Sequence, residues 1–133
     1  MNFLKAKVRV LKSMENLTLL TLSMGDQELK MVSLGLPKDI EQGSTVLLGV
    51  KATNITLAKN LQGEISTSNQ LFAQVESVKN GEILSTIKLK IEDSFLESVI
   101  TETASSRLCL QSGDSVLVLI KASDLSILEV REF

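Results

Sequence analysis

The feature that most restricts the fold is that the chain is written twice. Gly43-Ser-Thr-Val-Leu-Leu-Gly-Val-Lys-Ala-Thr-Asn-Ile-Thr-Leu57 realigns on Gly113-Asp-Ser-Val-Leu-Val-Leu-Ile-Lys-Ala-Ser-Asp-Leu-Ser-Ile127 at an offset of 70 residues. Gly43/Gly113, Val46/Val116, Leu47/Leu117, Lys51/Lys121 and Ala52/Ala122 are identical, while Thr53/Ser123, Asn54/Asp124 and Thr56/Ser126 keep their chemistry. Upstream, Leu4-Lys-Ala-Lys-Val8 falls on Leu71-Phe-Ala-Gln-Val75 at an offset of 67, so the first copy is three residues shorter before its glycine. One architecture must therefore serve both copies. The junction falls in the polar stretch Lys59-Asn-Leu-Gln-Gly-Glu64, which reads as a turn or linker and predicts a first domain over 1–62 and a second over 63–133.

Within each copy the apolar residues alternate with polar ones and β-branched side chains are frequent. Residues 3–10, 17–22, 70–78 and 83–91 read as strands with one buried face. The runs 46–50 and 116–120 are almost continuously apolar and too short for a typical helix, which fits strands covered on both faces. Short helical turns are expected only at 37–40, where Pro37 suits a first turn, and at 102–108. About five strands and one helical turn per copy predict an all-β protein of two tandem, OB-like small β-barrels. Each barrel alone is too small for an ample core, so mutual packing or oligomerisation is expected to supplement it.

Composition removes several function classes. The 133 residues include no His, Trp or Tyr, and Cys109 is the sole cysteine. Histidine acid/base catalysis, His/Cys zinc sites and internal disulfides are thereby excluded, and a reducing compartment fits best. The formal charge of −2 and four scattered phenylalanines offer neither a basic face nor a stacking pair for nucleic acid. Residues 1–10 alternate apolar with basic side chains, unlike a signal peptide, and no run approaches the roughly 18 apolar residues of a membrane helix. A cytoplasmic location is expected, which also makes the sequons at Asn16 and Asn54 chance matches.

Two segments could form a site. Ile65-Ser-Thr-Ser-Asn-Gln-Leu71 gathers hydroxyl and amide groups before an apolar strand, and the Lys-Ala-Thr/Ser turns at 51–53 and 121–123 each place a lysine after a buried strand. Uncharged donors in a concave turn plus one fixed cation are enough to hold an oxyanion without a metal. The competing structural reading is ordinary turn chemistry and solvated edge lysines, and duplication copies structural residues as faithfully as functional ones. Cys109 reads as a buried apolar side chain, Met14, Met24 and Met31 as core filler, and Glu92-Asp93 and Gly25-Asp26 as solvated hairpin turns. No phosphate loop, nucleophile elbow or catalytic triad is present.

The segments Ser66-Thr-Ser-Asn69-Gln-Leu71, Val99-Ile-Thr101 and Leu108-Cys-Leu-Gln-Ser-Gly-Asp-Ser-Val-Leu-Val-Leu-Ile-Lys-Ala-Ser123 resemble the Mop (molbindin, or TOBE) domain, which binds molybdate and tungstate. The second half is similar along its length, the first mainly over 32–59, as in a tandem di-Mop protein. The resemblance implies oxyanion contacts from Ser66, Thr67, Ser68 and Asn69, from Thr101, and from Lys121, Ala122 and Ser123. In the first copy Lys51, Ala52, Thr53 and Ser33 occupy matching places. Ser68 stands where the family often has arginine, and Ala104 where a serine is common; losing a charge-assisted donor costs roughly 1.5–3 kcal/mol, about ten- to a hundredfold in affinity. In the first copy only Met1 stands before Asn2, so a complete site there is expected to need another segment or subunit in place of the Ser-x-x of the motif.

The implied function is reversible binding of molybdate or tungstate for storage, buffering or homeostasis, with no catalysis, no organic cofactor and no side-chain metal ligand. The implied assembly is a homo-oligomer, dimer or trimer, with sites at interfaces and no membrane or nucleic-acid partner through this chain. Two alternatives stand beside it: the ligand-sensing di-Mop portion of a molybdate-responsive transcription regulator, and a TOBE barrel that has lost its ligand.

Overall fold

The computed structural model describes residues 1–131. Ten strands follow in order: β1 (Asn2–Met14), β2 (Leu17–Met24), β3 (Gln27–Leu34), β4 (Thr45–Val50), β5 (Thr56–Ala58), β6 (Asn69–Asn80), β7 (Leu84–Ile91), β8 (Ser94–Thr101), β9 (Ser115–Ile120) and β10 (Ser126–Arg131). A short helix α1 (Glu102–Arg107) follows β8, and single turns of 3-10 helix occupy Ala52–Asn54 and Ala122–Asp124. The all-β class and the count of five strands per unit agree with the sequence pattern.

Alternation explains the long strands. From Asn2 to Val8 and from Asn69 to Val75 every second side chain is buried. The outward positions include two of the few aromatics, Phe3 and Phe72, which lie exposed. Both long strands bend at the same place in the repeat, with the pairing register shifting between Val8 and Val10 and between Val75 and Ser77. The extra residue of such a bulge increases twist, which lets β1 pair with β4 over its first half and with β2 over its second. Next to each bulge a glycine N–H, from Gly43 or Gly113, donates to the carbonyl of Val8 or Val75 at 2.8 Å. Both glycines have φ near +95°, which is why this residue type recurs in the repeat.

The connectivity is not that of two self-contained barrels in series. The sheet orders are β10-β4-β1-β2-β3 and β5-β9-β6-β7-β8. Each copy thus gives its last strand to the sheet of the other: Leu57 of β5 pairs with Val118, and Ile127 of β10 with Leu48. This exchange gives β4 and β9 a hydrogen-bonded neighbour on both edges, and their inward side chains, Val46, Leu48 and Val50 and likewise Val116, Val118 and Ile120, are buried in the core. Ile55 and Leu57 from the first copy and Leu125 from the second join one continuous apolar cluster with both sheets.

Four local expectations are corrected. Residues 37–40 form a hydrogen-bonded turn rather than a helix, closed by the Ile40 N–H on the Pro37 carbonyl at 3.3 Å. Cys109 is exposed, because it follows α1 in a left-handed conformation (φ 51°) that turns the chain away and leaves Leu110 to fill the core. Met24 and Met31 are buried, but Met14 is 77% exposed at the tip of the first hairpin. The acidic hairpin turns are also more than solvated: Glu92 Oε1 accepts from the Asp26 N–H at 2.9 Å, so the two equivalent turns hold each other.

Candidate functional site

The exchanged strands bring each Lys-Ala-Thr/Ser turn against the opposite copy. The turn at Ala52–Asn54 packs on β8, and the turn at Ala122–Asp124 packs on β3. In each, a lysine in extended backbone (Lys51 or Lys121) precedes one 3-10 turn, closed by the Asn54 or Asp124 N–H on the lysine carbonyl. Ile55 and Leu125, immediately after, are buried and anchor the turn to the core. The preceding strand and the following apolar residue therefore fix a short polar loop at a seam between the copies.

Two adjoining clefts result. The smaller, about 250 Å³, is lined by Thr53, Thr56, Thr67, Lys121 and Asp124 among others. The larger, about 410 Å³, shares Thr53 and Thr56 and is completed by Thr101, Ala104 and Arg107 over a floor that includes Ile55 and Leu57. Hence Thr53, Thr67 and Lys121 come together in one cleft, and Thr53 and Thr101 in the other. Ser33 lies half-buried on β3, the strand facing the second turn. Lys51 and Ser123 are exposed and Ala52 and Ala122 half-buried in their turns. Ser66 and Ser68 are exposed and line neither cleft.

Asn69 has a different setting from the other candidates. It is fully buried, its Oδ1 accepting from the Lys30 N–H at 2.6 Å and its Nδ2 donating to the Lys30 carbonyl at 2.9 Å. The amide thus imitates a strand neighbour for β3. Asn2, the matching residue of the first copy, does the same for Glu97 on β8, at 2.8 Å in both directions. Gln70 Nε2 donates to the carbonyls of Thr67 (3.0 Å) and Ile65 (3.3 Å), pinning the loop that presents Thr67.

Thr101 caps α1 by accepting from the Ala104 N–H, and it accepts a second bond from the Thr103 hydroxyl, both at 3.2 Å. A hydroxyl has two acceptor positions and one proton, so its O–H remains the group to offer a ligand. The far end of α1 is tied down by Lys59, whose Nζ donates to the carbonyls of Leu108 (3.1 Å) and Cys109 (3.3 Å) and to Asp114 Oδ2 (3.0 Å). The Lys59 hydrogen bond, helped by one from the Gln111 N–H, holds the Asp114 carboxyl below the usual carboxylate range.

Sequence reasoning missed Arg107, Thr56 and Lys59. The Thr56/Ser126 match within the repeat is a signal that could have found Thr56; Arg107 and Lys59 have no like residue at the repeat offset, where Pro37 and Glu129 stand. Among the described residues no group of three or more Asp, Glu or Cys side chains is placed to hold a metal ion, and no helix is long and apolar enough to cross a membrane.

Comparison with known proteins adds three findings. Residues 65–127 match the family model of the TOBE domain, a span that covers the second copy from the Ser66 loop to β10. No curated protein matches the chain by sequence. Among solved structures, the fold is shared with the cytoplasmic molybdate-binding protein ModG in its molybdate-bound crystal form, with a TM-score of 0.89 at 23% identity over 95% of this chain and 94% of that one.

Proposed function

We propose that this chain is a cytoplasmic, non-catalytic oxyanion-binding protein of tandem Mop type, taking up molybdate or tungstate reversibly for intracellular storage, buffering or homeostasis. The observation that carries the reading is the seam itself: a repeated Lys-Ala-Thr/Ser turn packed by strand exchange against hydroxyl groups of the other copy, in a fold shared with a molybdate-bound protein. Hydroxyls of Thr53, Thr67 and Thr101 serve as neutral donors and Lys121 as a cation. The Ser66, Ser68 and Asn69 side chains contribute by shaping the loop, with Lys51, Ala52, Ala122, Ser123 and Ser33 lining the related turns. Donor spacing and cavity size select against sulfate, also a tetrahedral dianion.

The clefts are open, which supports a homo-oligomer, dimer or trimer, whose neighbouring subunits complete the sites. Exposed Phe3, Phe72 and Phe95 offer apolar surface for such contacts. Anion binding across an interface would then stabilise the assembly by mass action. A second reading, a barrel that keeps the fold without the ligand, is favoured by the placement of Ser68 outside both clefts.

Isothermal titration calorimetry with molybdate, tungstate and sulfate at one ionic strength separates the two. Micromolar or tighter binding of molybdate and tungstate, with none of sulfate, is the expected result. Substitution K121A should weaken it, and absence of heat from all three anions across several temperatures overturns the proposal in favour of the ligand-free barrel.

A further inference from the structure

Two cations line the clefts that hold Thr53 and Thr56, and they are not equivalent. Lys121 shares its cleft with Asp124, so that lining has no net charge to offer a dianion. Arg107, on the last turn of α1, is the one charged residue among the described residues of the larger cleft. Its guanidinium makes no ion pair or hydrogen bond to any described residue, which leaves all five donors unused.

We infer that Arg107 is the principal anion-anchoring cation of this protein, and that the dianion sits in the larger cleft between the Ala52–Asn54 turn and α1, bound by the Arg107 fork with the hydroxyls of Thr53, Thr56 and Thr101. The inference rests on the oxyanion-binding reading above and adds a residue and a place to it. Three physical arguments converge. A planar fork matches two oxygens of a tetrahedral oxyanion at once, which an ammonium does not. Thr101 already accepts two hydrogen bonds, so its proton is free to point at an anion and is polarised by those bonds. The buried side chains of Ile55 and Leu57 form part of the floor and lower the local dielectric, strengthening the attraction. Arg107 thereby supplies, from the helix, the guanidinium that the loop lacks at Ser68.

The same argument separates the copies. At the position related to Arg107 by the 70-residue offset stands Pro37, in a turn where the second copy has its helix. The neighbouring Lys38 lies exposed next to Asp39. One tight site per chain follows, rather than two.

The test is calorimetric titration of the whole protein with sodium molybdate, comparing wild type with R107A, R107K and K121A. Because the Arg107 side chain is exposed and unpartnered, the unfolding midpoint of R107A should equal that of wild type, which confirms that binding is being compared between folded proteins. Loss of a charge-assisted pair of donors should raise Kd about ten- to a hundredfold in R107A, with partial recovery in R107K and a smaller loss in K121A. The expected stoichiometry in wild type is one tight site per chain. If wild type binds molybdate and R107A binds within threefold of it, or if K121A is the more damaging change, the inference fails while the oxyanion-binding reading stands. If wild type binds no molybdate, both fall together.

Discussion

The two copies carry the same sequence skeleton and use it with unequal strength. Asn69 is fully buried against Lys30, and its seam is reinforced by Gln27, whose Oε1 accepts from the Phe72 N–H at 3.0 Å and whose Nε2 donates to the Phe72 carbonyl at 3.4 Å. Asn2 makes the related pair with Glu97 but is 8% exposed, and Ser94 at the place of Gln27 is too short to reach across. The exchanged strands differ in the opposite direction: β10 has six residues and β5 three. The long β10 bulges at Leu128, whose side chain lies over Gly49, where the other copy has Leu119. Duplication therefore preserves the interactions that close the exchange, while the segments before the glycine are free to become a turn in one copy and α1 in the other.

The largest expected effect comes from cutting the chain between residues 62 and 63. Each piece would lose the strand that the other supplies, together with partners for Ile55, Leu57 and Leu125. Neither piece alone should show a cooperative urea transition, whereas the mixed pieces should regain one; independent folding of 63–133 at full stability would break the picture of mutual dependence. Next in size are N69A and N2A. Each leaves a backbone N–H and C=O of the partner strand without its amide, at a cost of about 1–3 kcal/mol. The midpoint should fall further for N69A, since Asn69 is the more buried, and equal shifts would show that the seams are alike.

A smaller effect is expected at the paired hairpin turns. Gly25 has φ +60°, and an added Cβ would collide with the Glu92 carboxylate. G25A should cost about 1 kcal/mol by chemical denaturation, and in the E92A background it should cost less, because the collision has been removed. The least is expected from D114N, and it depends on pH. The Asp114 carboxyl is held below its usual value in the folded protein, so its contribution is present above the unfolded-state value and is lost as pH falls through the folded one. Urea midpoints of wild type and D114N should differ at pH 7 and converge below about pH 4. Equal midpoints already at pH 7 would assign the role of Asp114 to capping of the Gln111 N–H, which the asparagine oxygen can also accept, rather than to its charge.

The legible part of the fold was that governed by local periodicity. Alternation identified β1, β2, β6 and β7, and continuous apolar runs identified β4 and β9, whose outer faces are covered only in part, with Leu47 and Leu117 half-buried. The eight-residue β3 and β8 were not picked out as strands, and the short β5 and β10 were harder still, since three to six residues beside a 3-10 turn carry little periodic signal. The Lys-Ala-Thr/Ser turns were visible because they recur, and Arg107 was invisible because it does not. Asn69 was visible as a residue of interest, but its setting was not: the backbone it satisfies belongs to Lys30, a strand of the other copy.

By itself, then, the sequence determined an all-β chain in two related copies, with a polar turn after each buried strand, no histidine and no internal disulfide. Only the tertiary structure decided which copy each last strand would join, and therefore that Thr53 of the first copy would share a cleft with Thr101 and Arg107 of the second. The physical reason is that side-chain alternation states which face of a strand is buried, whereas backbone hydrogen bonding accepts any neighbour with the right register. The choice of neighbour is made by the packing of the whole core.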